Sequence, residues 1–142
     1  MTNPEPDAID RDLIEGLLRE LAGHLHALAE HDLTGAIDLR SLPLTDVQLD
    51  GLRERLGRGE VSASFDVAGR SEVWETRYPG IWWIRHYDGL ETVVVERIEI
   101  TAVPEILRAG HADLAAAAAN LRRELAVVEQ DYRAEVGSHG GI

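Results

Sequence analysis

The chain has 142 residues, a formal net charge of -12 and no cysteine. Its length suits one domain that buries enough apolar surface to fold without cross-links. Its 26 carboxylates outnumber 14 basic residues, all of them arginine, so we expect neither nucleic acid nor an anionic membrane as a partner. The acidic surface either keeps the protein soluble or matches a basic partner. The lack of cysteine excludes a disulfide framework, a thiolate nucleophile, a cysteine-ligated zinc and a protein-held iron–sulfur cluster.

The N-terminus shows no secretory leader, because it lacks a basic start followed by an apolar run. No window of the chain is apolar for long enough to predict a membrane-spanning helix. We therefore expect a cytoplasmic protein. Residues 1–7 are polar and contain two prolines, which predicts a flexible arm before a single domain at 8–135.

Helical patterns fill the next part of the chain. Leucines at 13, 17, 21, 25 and 28 predict a helix from Ile9 to about Asp32. Apolar and polar residues alternate at 36–40, which predicts a short strand that places Asp38 and Arg40 on one face. A second helix follows, with Thr45 as its N-cap. Its expected buried side consists of Val47, Leu49, Leu52 and Leu56.

The middle of the chain predicts a run of strands at 61–67, 72–77, 81–87 and 92–101. Ala68 and the residues after it predict a turn between the first two strands, and Asp88-Gly89 predicts a tight hairpin. Short links of this kind favour an antiparallel meander. We expect an α+β fold, with a sheet of four to five strands, two N-terminal helices and one long C-terminal helix packed on it.

The C-terminal helix carries a narrow apolar seam of heptad type. The seam consists of Leu114, Ala118, Leu121, Leu125, Val128 and Tyr132. It packs either on the chain's own sheet or on a second copy or partner, so a homodimer is one possibility. Residues 136–142 are predicted to be a flexible tail.

Neither a metal site nor a catalytic site is indicated. His24 and His26 point about 200° apart around a helix, and His24 lies about 10 Å along the axis from His31. One ion does not readily bridge such positions. No serine lies in a nucleophile-elbow motif, and three-residue spacing in a strand sends carboxylates to opposite faces. We expect no cofactor and no enzymatic activity.

The stretch from Trp74 to Tyr87 contains all three tryptophans and two of the three tyrosines. Trp82 and Trp83 must point to opposite sides of a strand, so one joins a core and the other stands on the second face. A sheet that is apolar on both faces offers a docking surface, unless the last helix or a dimer mate covers it. We take the following residues as partner-binding candidates: Trp74, Tyr78, Pro79, Gly80, Trp82, Trp83, Asp38 and Arg40.

Four ordered blocks of the sequence resemble the conserved C-terminal region of hydrogenase expression/formation proteins of the HupH/HoxQ type. They read AIDLRSLPL at 36–44, GEVSA at 59–63, WETRYPGIWW at 74–83, and ERIEI with VPEIL at 96–100 and 103–107. With the flanking helices, the similarity covers most of the chain.

The resemblance implies an accessory protein for uptake nickel–iron hydrogenases. Members of this family are thought to act with thioredoxin-like and rubredoxin-like companions on the iron–sulfur small subunit before its export. The implied role is a maturation chaperone or scaffold, with a small-subunit precursor or another maturation accessory protein as partner. The resemblance names no catalytic residue, and family members are commonly longer than this chain. The alternative is a homo-oligomeric structural or adaptor domain without a hydrogenase role.

Overall fold

The computed structural model describes residues 6–66 and 69–139. The chain divides into two compact units, one up to Pro104 and one from Glu105 onwards. Among the helices described, none is both long enough and apolar enough to cross a membrane.

The first unit contains two helices and a five-stranded antiparallel sheet. Its elements are α1 (Pro6–His31), β1 (Gly35–Asp38), a 3-10 turn (Leu39–Ser41), α2 (Asp46–Leu56), β2 (Ser62–Asp66), β3 (Arg70–Glu75), β4 (Ile81–Tyr87) and β5 (Val93–Ile100). The strand order is β1-β5-β4-β3-β2, so β2 to β5 form the predicted meander and β1 pairs with β5. The second unit contains a 3-10 turn (Glu105–Leu107) and α3 (His111–His139). The α+β class, the antiparallel sheet and the long C-terminal helix are confirmed.

The core of the first unit lies between the helices and one face of the sheet. A cross-strand row runs through it, because Trp74 pairs with Trp83, Trp83 with Ile98, and Ile98 with Ile37. Paired residues of neighbouring strands share a face, which places all four side chains on the helix side. The helices contribute Leu17, Leu21, Leu52 and Leu56 to the same cluster.

Helix α2 begins as its sequence predicts. The Thr45 side chain accepts a hydrogen bond from the Gln48 amide at 3.1 Å, and the Gln48 side chain accepts one from the Thr45 amide at 2.9 Å. This capping box satisfies two amides that the first turn would otherwise leave unpaired. Val47 differs from the prediction, since it is 70% exposed and lies outside the core. The buried leucines therefore define the inner side of α2.

The ends of the chain are more helical than the sequence indicates. Helix α1 begins at Pro6, two residues inside the predicted arm, and residues 1–5 lie outside the described part. Proline suits the first turn of a helix because that turn leaves its amides unbonded. Helix α3 continues to His139, so the predicted tail from 136 is helical up to that residue. Residues 140–142 also lie outside the described part.

Two predicted strand ends also differ. The predicted strand at 36–40 is β1 only as far as Asp38, whose carboxylate accepts a hydrogen bond from the Arg40 amide at 3.1 Å and caps the 3-10 turn. The predicted tight hairpin at Asp88 is instead a five-residue loop, because the Asp88 carboxylate accepts from the amides of Leu90 and Thr92. Residues 67 and 68, where a strand end and a turn are predicted, are not described.

Candidate partner-binding site

Trp74 and Trp83 form the centre of the helix-covered face. Their rings are stacked, with centroids 6.0 Å apart and planes inclined by 6°. Both side chains are buried, at 1% and 0% exposure. The two residues lie opposite each other on β3 and β4, so the strand register creates the stack. Neither side chain is part of an exposed aromatic surface, and the role of both residues in partner binding stays a prediction.

A buried carboxylate organises the polar edge of this stack. Glu96 Oε1 accepts hydrogen bonds from Trp83 Nε1 and from an Arg53 guanidinium nitrogen, each at 2.9 Å. Arg85 Nε lies 3.7 Å from the same oxygen. The glutamate side chain is only 5% exposed. Because a buried charge is tolerated when it is paired and hydrogen-bonded, this network fixes β4, β5 and α2 together.

Trp82 points to the opposite face of the sheet, as alternation along β4 predicts. It is 4% exposed, and its Nε1 donates to the Thr101 carbonyl at 3.1 Å. The second face of β4 is therefore not an open aromatic surface at this position. The role of Trp82 as a partner-binding residue stays a prediction, and the burial limits it to an indirect one.

Tyr78, Pro79 and Gly80 form the bend between β3 and β4. The Ile81 amide donates to the Tyr78 carbonyl at 3.0 Å, which closes the bend. Gly80 has φ +93, and a Cβ there would lie 3.0 Å from Leu25 Cδ1. The bend therefore packs closely on α1. Tyr78 is 40% exposed and Pro79 is exposed, so these two residues can touch a partner.

An apolar groove lies beside this bend, and we call it the Tyr78 groove. It has a volume of about 230 Å³ and is formed by α1, the end of α2 and the start of β4. Its lining residues are Leu18, Leu21, Ala22, Leu25, Arg55, Leu56, Tyr78 and Ile81. A shallower hollow of about 320 Å³ shares Leu18, Ala22 and Arg55 with it and adds Glu15 and Arg19. The groove thus has an apolar floor and a charged rim.

Asp38 and Arg40 lie elsewhere, at the last residue of β1 and in the 3-10 turn that follows it. Both are exposed, but they do not share a strand face as predicted, because Arg40 belongs to the 3-10 turn. The contact between them is the hydrogen bond from the Arg40 amide to the Asp38 carboxylate, which caps the 3-10 turn. The structure does not bring these two residues into the lining of the Tyr78 groove. Their part in partner binding stays a prediction.

The described residues offer no obvious catalytic or metal centre. Ser71 and His86 are hydrogen-bonded through Oγ and Nδ1, but Ser71 is 1% exposed, so no substrate reaches its hydroxyl. Within the described ranges, no group of three or more histidine, aspartate or glutamate side chains is arranged to hold a metal ion. The Tyr78 groove is an accessible feature that combines a concave shape with an apolar lining.

Sequence reasoning had not identified this groove. Its lining comes from α1, α2 and β4, and their meeting depends on how the two helices cross the sheet. The available signal was Tyr78, which is followed by the turn residues Pro79 and Gly80. The Glu96 network was also missed, although Glu96 pairs with Arg85 in the β4–β5 register.

Comparison with known protein families shows to which family the chain belongs. The model of the HupH hydrogenase expression protein, C-terminal conserved region, matches residues 14–128. The chain belongs to this family. The match includes most of α1, the whole sheet and most of α3, so the HupH C-terminal family accounts for both the core and the Tyr78 groove.

Individual relatives agree with the HupH C-terminal assignment. The hydrogenase expression/formation protein HoxQ of Azotobacter vinelandii is 29% identical over 87 residues, which are 61% of this chain and 31% of that protein. HupH of Rhodobacter capsulatus is 29% identical over 92 residues, 65% of this chain and 34% of that protein. The chain therefore aligns with only about a third of these curated relatives.

A solved structure of a HupH protein has the same fold. The hydrogenase expression protein HupH from Thiobacillus denitrificans ATCC 25259 superimposes with a TM-score of 0.76 and 44% sequence identity. The alignment covers 80% of this chain and 94% of that one. Membership of the HupH C-terminal family supports an accessory role in hydrogenase expression.

Proposed function

We propose that this chain assists hydrogenase maturation by binding another protein, and that it does so without catalysis. The partner is the precursor of the hydrogenase iron–sulfur small subunit or an accessory protein that acts with it. The family match over residues 14–128 carries this proposal. The relatives in Azotobacter vinelandii and Rhodobacter capsulatus are named hydrogenase expression/formation proteins, which supports an accessory role.

The Tyr78 groove is the proposed docking surface. Its floor accepts an apolar side chain, because leucines from α1 and α2 line it. Arg19 and Arg55 stand at its rim, and neither forms an ion pair with another described residue. Burial of an apolar anchor supplies affinity, while complementary charge sets orientation and association rate. The chemistry therefore fits a partner segment that carries an apolar anchor beside a carboxylate.

Co-purification tests this function. A tagged chain would be co-expressed with the small-subunit precursor encoded in the same genome, and the eluted complex would be identified by mass spectrometry. The proposal predicts a stoichiometric complex with the precursor or with a maturation accessory protein. No complex at micromolar protein concentration, with the accessory proteins co-expressed, would contradict it.

Matched variants separate the groove from the rest of the surface. Tyr78→Ser removes an exposed aromatic ring from the groove, and Leu90→Ser removes an 87% exposed apolar side chain from the β4–β5 loop. The first variant should lose the complex, and the second should retain it. Equal retention would place the binding surface elsewhere while leaving the accessory role intact.

A homo-oligomeric adaptor is the second candidate. Helix α3 has exposed apolar residues at heptad-type spacing, at Leu114, Leu121, Leu125, Val128 and Tyr132. Such a seam is typical of a helix that pairs with another helix. Light scattering on the purified chain tests this candidate. A monomer at all concentrations up to the millimolar range would reject it.

A further inference from the structure

The free edge of the sheet offers a second surface, and its lining shares no residue with the Tyr78 groove. Strand β2 is an edge strand, since it pairs with β3 alone among the described residues. The Glu75 amide donates to the Val61 carbonyl at 2.9 Å, just before β2 begins. Across two antiparallel strands, residue pairs that share main-chain hydrogen bonds alternate with pairs that do not. The main-chain groups of Ser62 and Ser64 therefore face outward, where an added strand can bond to them.

The sequence of β2 does little to prevent such pairing. Edge strands are commonly protected by lysine, proline, bulges or inward-pointing charges. Strand β2 reads SASFD and has a single charge, at its last residue Asp66. Its pairing with β3 is regular over all five residues. The edge can therefore accept an extended segment.

A cup of about 400 Å³ opens beside this edge, on the face that carries Trp74. Ser62 and Ser64 supply small side chains on that face, which leave the space above them open. Arg58, Arg70, Glu72 and Trp74 line the same cup. A side chain from an added strand would enter this space over the two serines.

Arg58 is a donor of this cup that has no matching acceptor in the described part of the chain. The Arg58 guanidinium lies 3.9 Å from the centroid of the Trp74 ring and forms no ion pair with a described residue. The Trp74 side chain is buried, yet its Nε1 has no acceptor among the described atoms. Arg70 is already paired with Glu72 at 3.0 Å and with Glu91 at 2.9 Å. Arg58 is thus the cation available to a ligand.

Two glycines hold Arg58 in this position. Gly57 ends α2 with φ +67, and a Cβ on Gly59 would lie 2.7 Å from the Thr76 carbonyl oxygen. The Gly59 amide also donates to the Glu75 carbonyl at 2.7 Å. The link between α2 and β2 is therefore pressed against β3, and Arg58 is carried over the Trp74 ring.

We infer that the β2 edge binds an extended acidic peptide segment as an added strand, with one carboxylate in the cup against Arg58. Main-chain bonds to Ser62 and Ser64 would supply the general affinity, and the carboxylate would supply selectivity. A charge-assisted hydrogen bond from a guanidinium on an aromatic ring favours a carboxylate over an amide. This surface is separate from the proposed docking groove.

The test uses two synthetic pentapeptides, Ac-Thr-Val-Glu-Val-Thr-NH2 and its glutamine counterpart, titrated into the ¹⁵N-labelled chain. The glutamate peptide should shift the amide signals of Ser62, Ser64 and Asp66 and bind about tenfold more tightly than the glutamine peptide. Equal binding of the two peptides, or no shift at β2 with either, would overturn the inference.

Two variants test the two halves of the site. Arg58→Gln should remove the preference for glutamate, whereas Arg108→Gln, at an exposed arginine outside the sheet, should preserve it. Ser64→Pro removes an outward-facing amide that β3 does not use, and edge positions of this kind tolerate proline. This variant should keep the native amide spectrum and lose binding of both peptides. Retained binding by folded Ser64→Pro would contradict strand addition.

Discussion

Trp83 donates its indole N–H to Glu96 Oε1 at 2.9 Å, and the same oxygen accepts from Arg53 at 2.9 Å. An aromatic core residue, a buried carboxylate and a helix arginine are thereby joined at one atom. The arrangement explains why a charged side chain is tolerated in the centre of β5. It also makes Glu96 a structural residue of this core.

Replacing Glu96 tests this relationship. Glu96→Ala leaves the Trp83 N–H without its acceptor and leaves Arg53 without its buried partner. Removing one member of a buried pair costs about 3–5 kcal/mol, so the free energy of unfolding should fall by that amount. Urea denaturation followed by tryptophan fluorescence measures the change. Glu54→Ala, at an exposed position on α2, is the control, and a similar loss in both variants would refute the role of Glu96.

Gly80 should not tolerate a side chain. Its φ of +93 disfavours other residues, and a Cβ would lie 3.0 Å from Leu25 Cδ1. Gly80→Ala should therefore destabilise the fold by about 1–3 kcal/mol. Gly89→Ala is the matched control, because a Cβ there meets nothing within 4 Å. Thermal denaturation should separate the two variants, and equal melting temperatures would show that the bend is not constrained.

The α2 cap is a third test of the fold. Thr45→Ala removes the side-chain oxygen that accepts from the Gln48 amide. Loss of such a cap costs about 1 kcal/mol. Thr34→Ala, at an exposed loop position, should change stability little. A denaturation midpoint in Thr45→Ala that matches the wild type would contradict the capping assignment.

Local patterns predicted most of the secondary structure. Leucine spacing identified α1, the Thr45 cap located the start of α2, and the turn signals on either side of 81–87 bounded β4 at its observed ends. These features depend on neighbours in sequence, which is why they could be read directly. Two of the errors lie where a side chain bonds to nearby backbone, as Asp38 does at the end of β1 and Asp88 does after β4.

The sequence predicted less of the candidate site than of the fold. Alternation correctly separated Trp82 from Trp83, but it could not show that both are buried. The Tyr78 groove depends on the placement of α1 and α2 over the sheet, which no local pattern encodes. The aromatic stretch exposes Tyr78 but buries all three tryptophans, so less of it is open to a partner than alternation suggested, and its part in binding stays a prediction.

The groove rim should influence the association rate. Arg55→Glu reverses a charge beside the apolar floor, and rim charges act mainly on association and on its salt dependence. We expect slower binding of the precursor at low salt and a weaker response to added salt. Arg108→Glu, an exposed charge reversal outside the groove, is the control. Biolayer interferometry measures the association rate of each variant at low and at high salt. Identical rates for the two variants would show that Arg55 is not part of the binding site.

The most direct test of the account is the dissociation constant of the complex between this chain and the small-subunit precursor, measured by titration calorimetry. Wild-type chain and Leu90→Ser should bind equally well, and Tyr78→Ser should bind at least about tenfold more weakly, as loss of an aromatic anchor implies. A wild-type chain that binds neither the precursor nor an accessory protein would contradict the central claim.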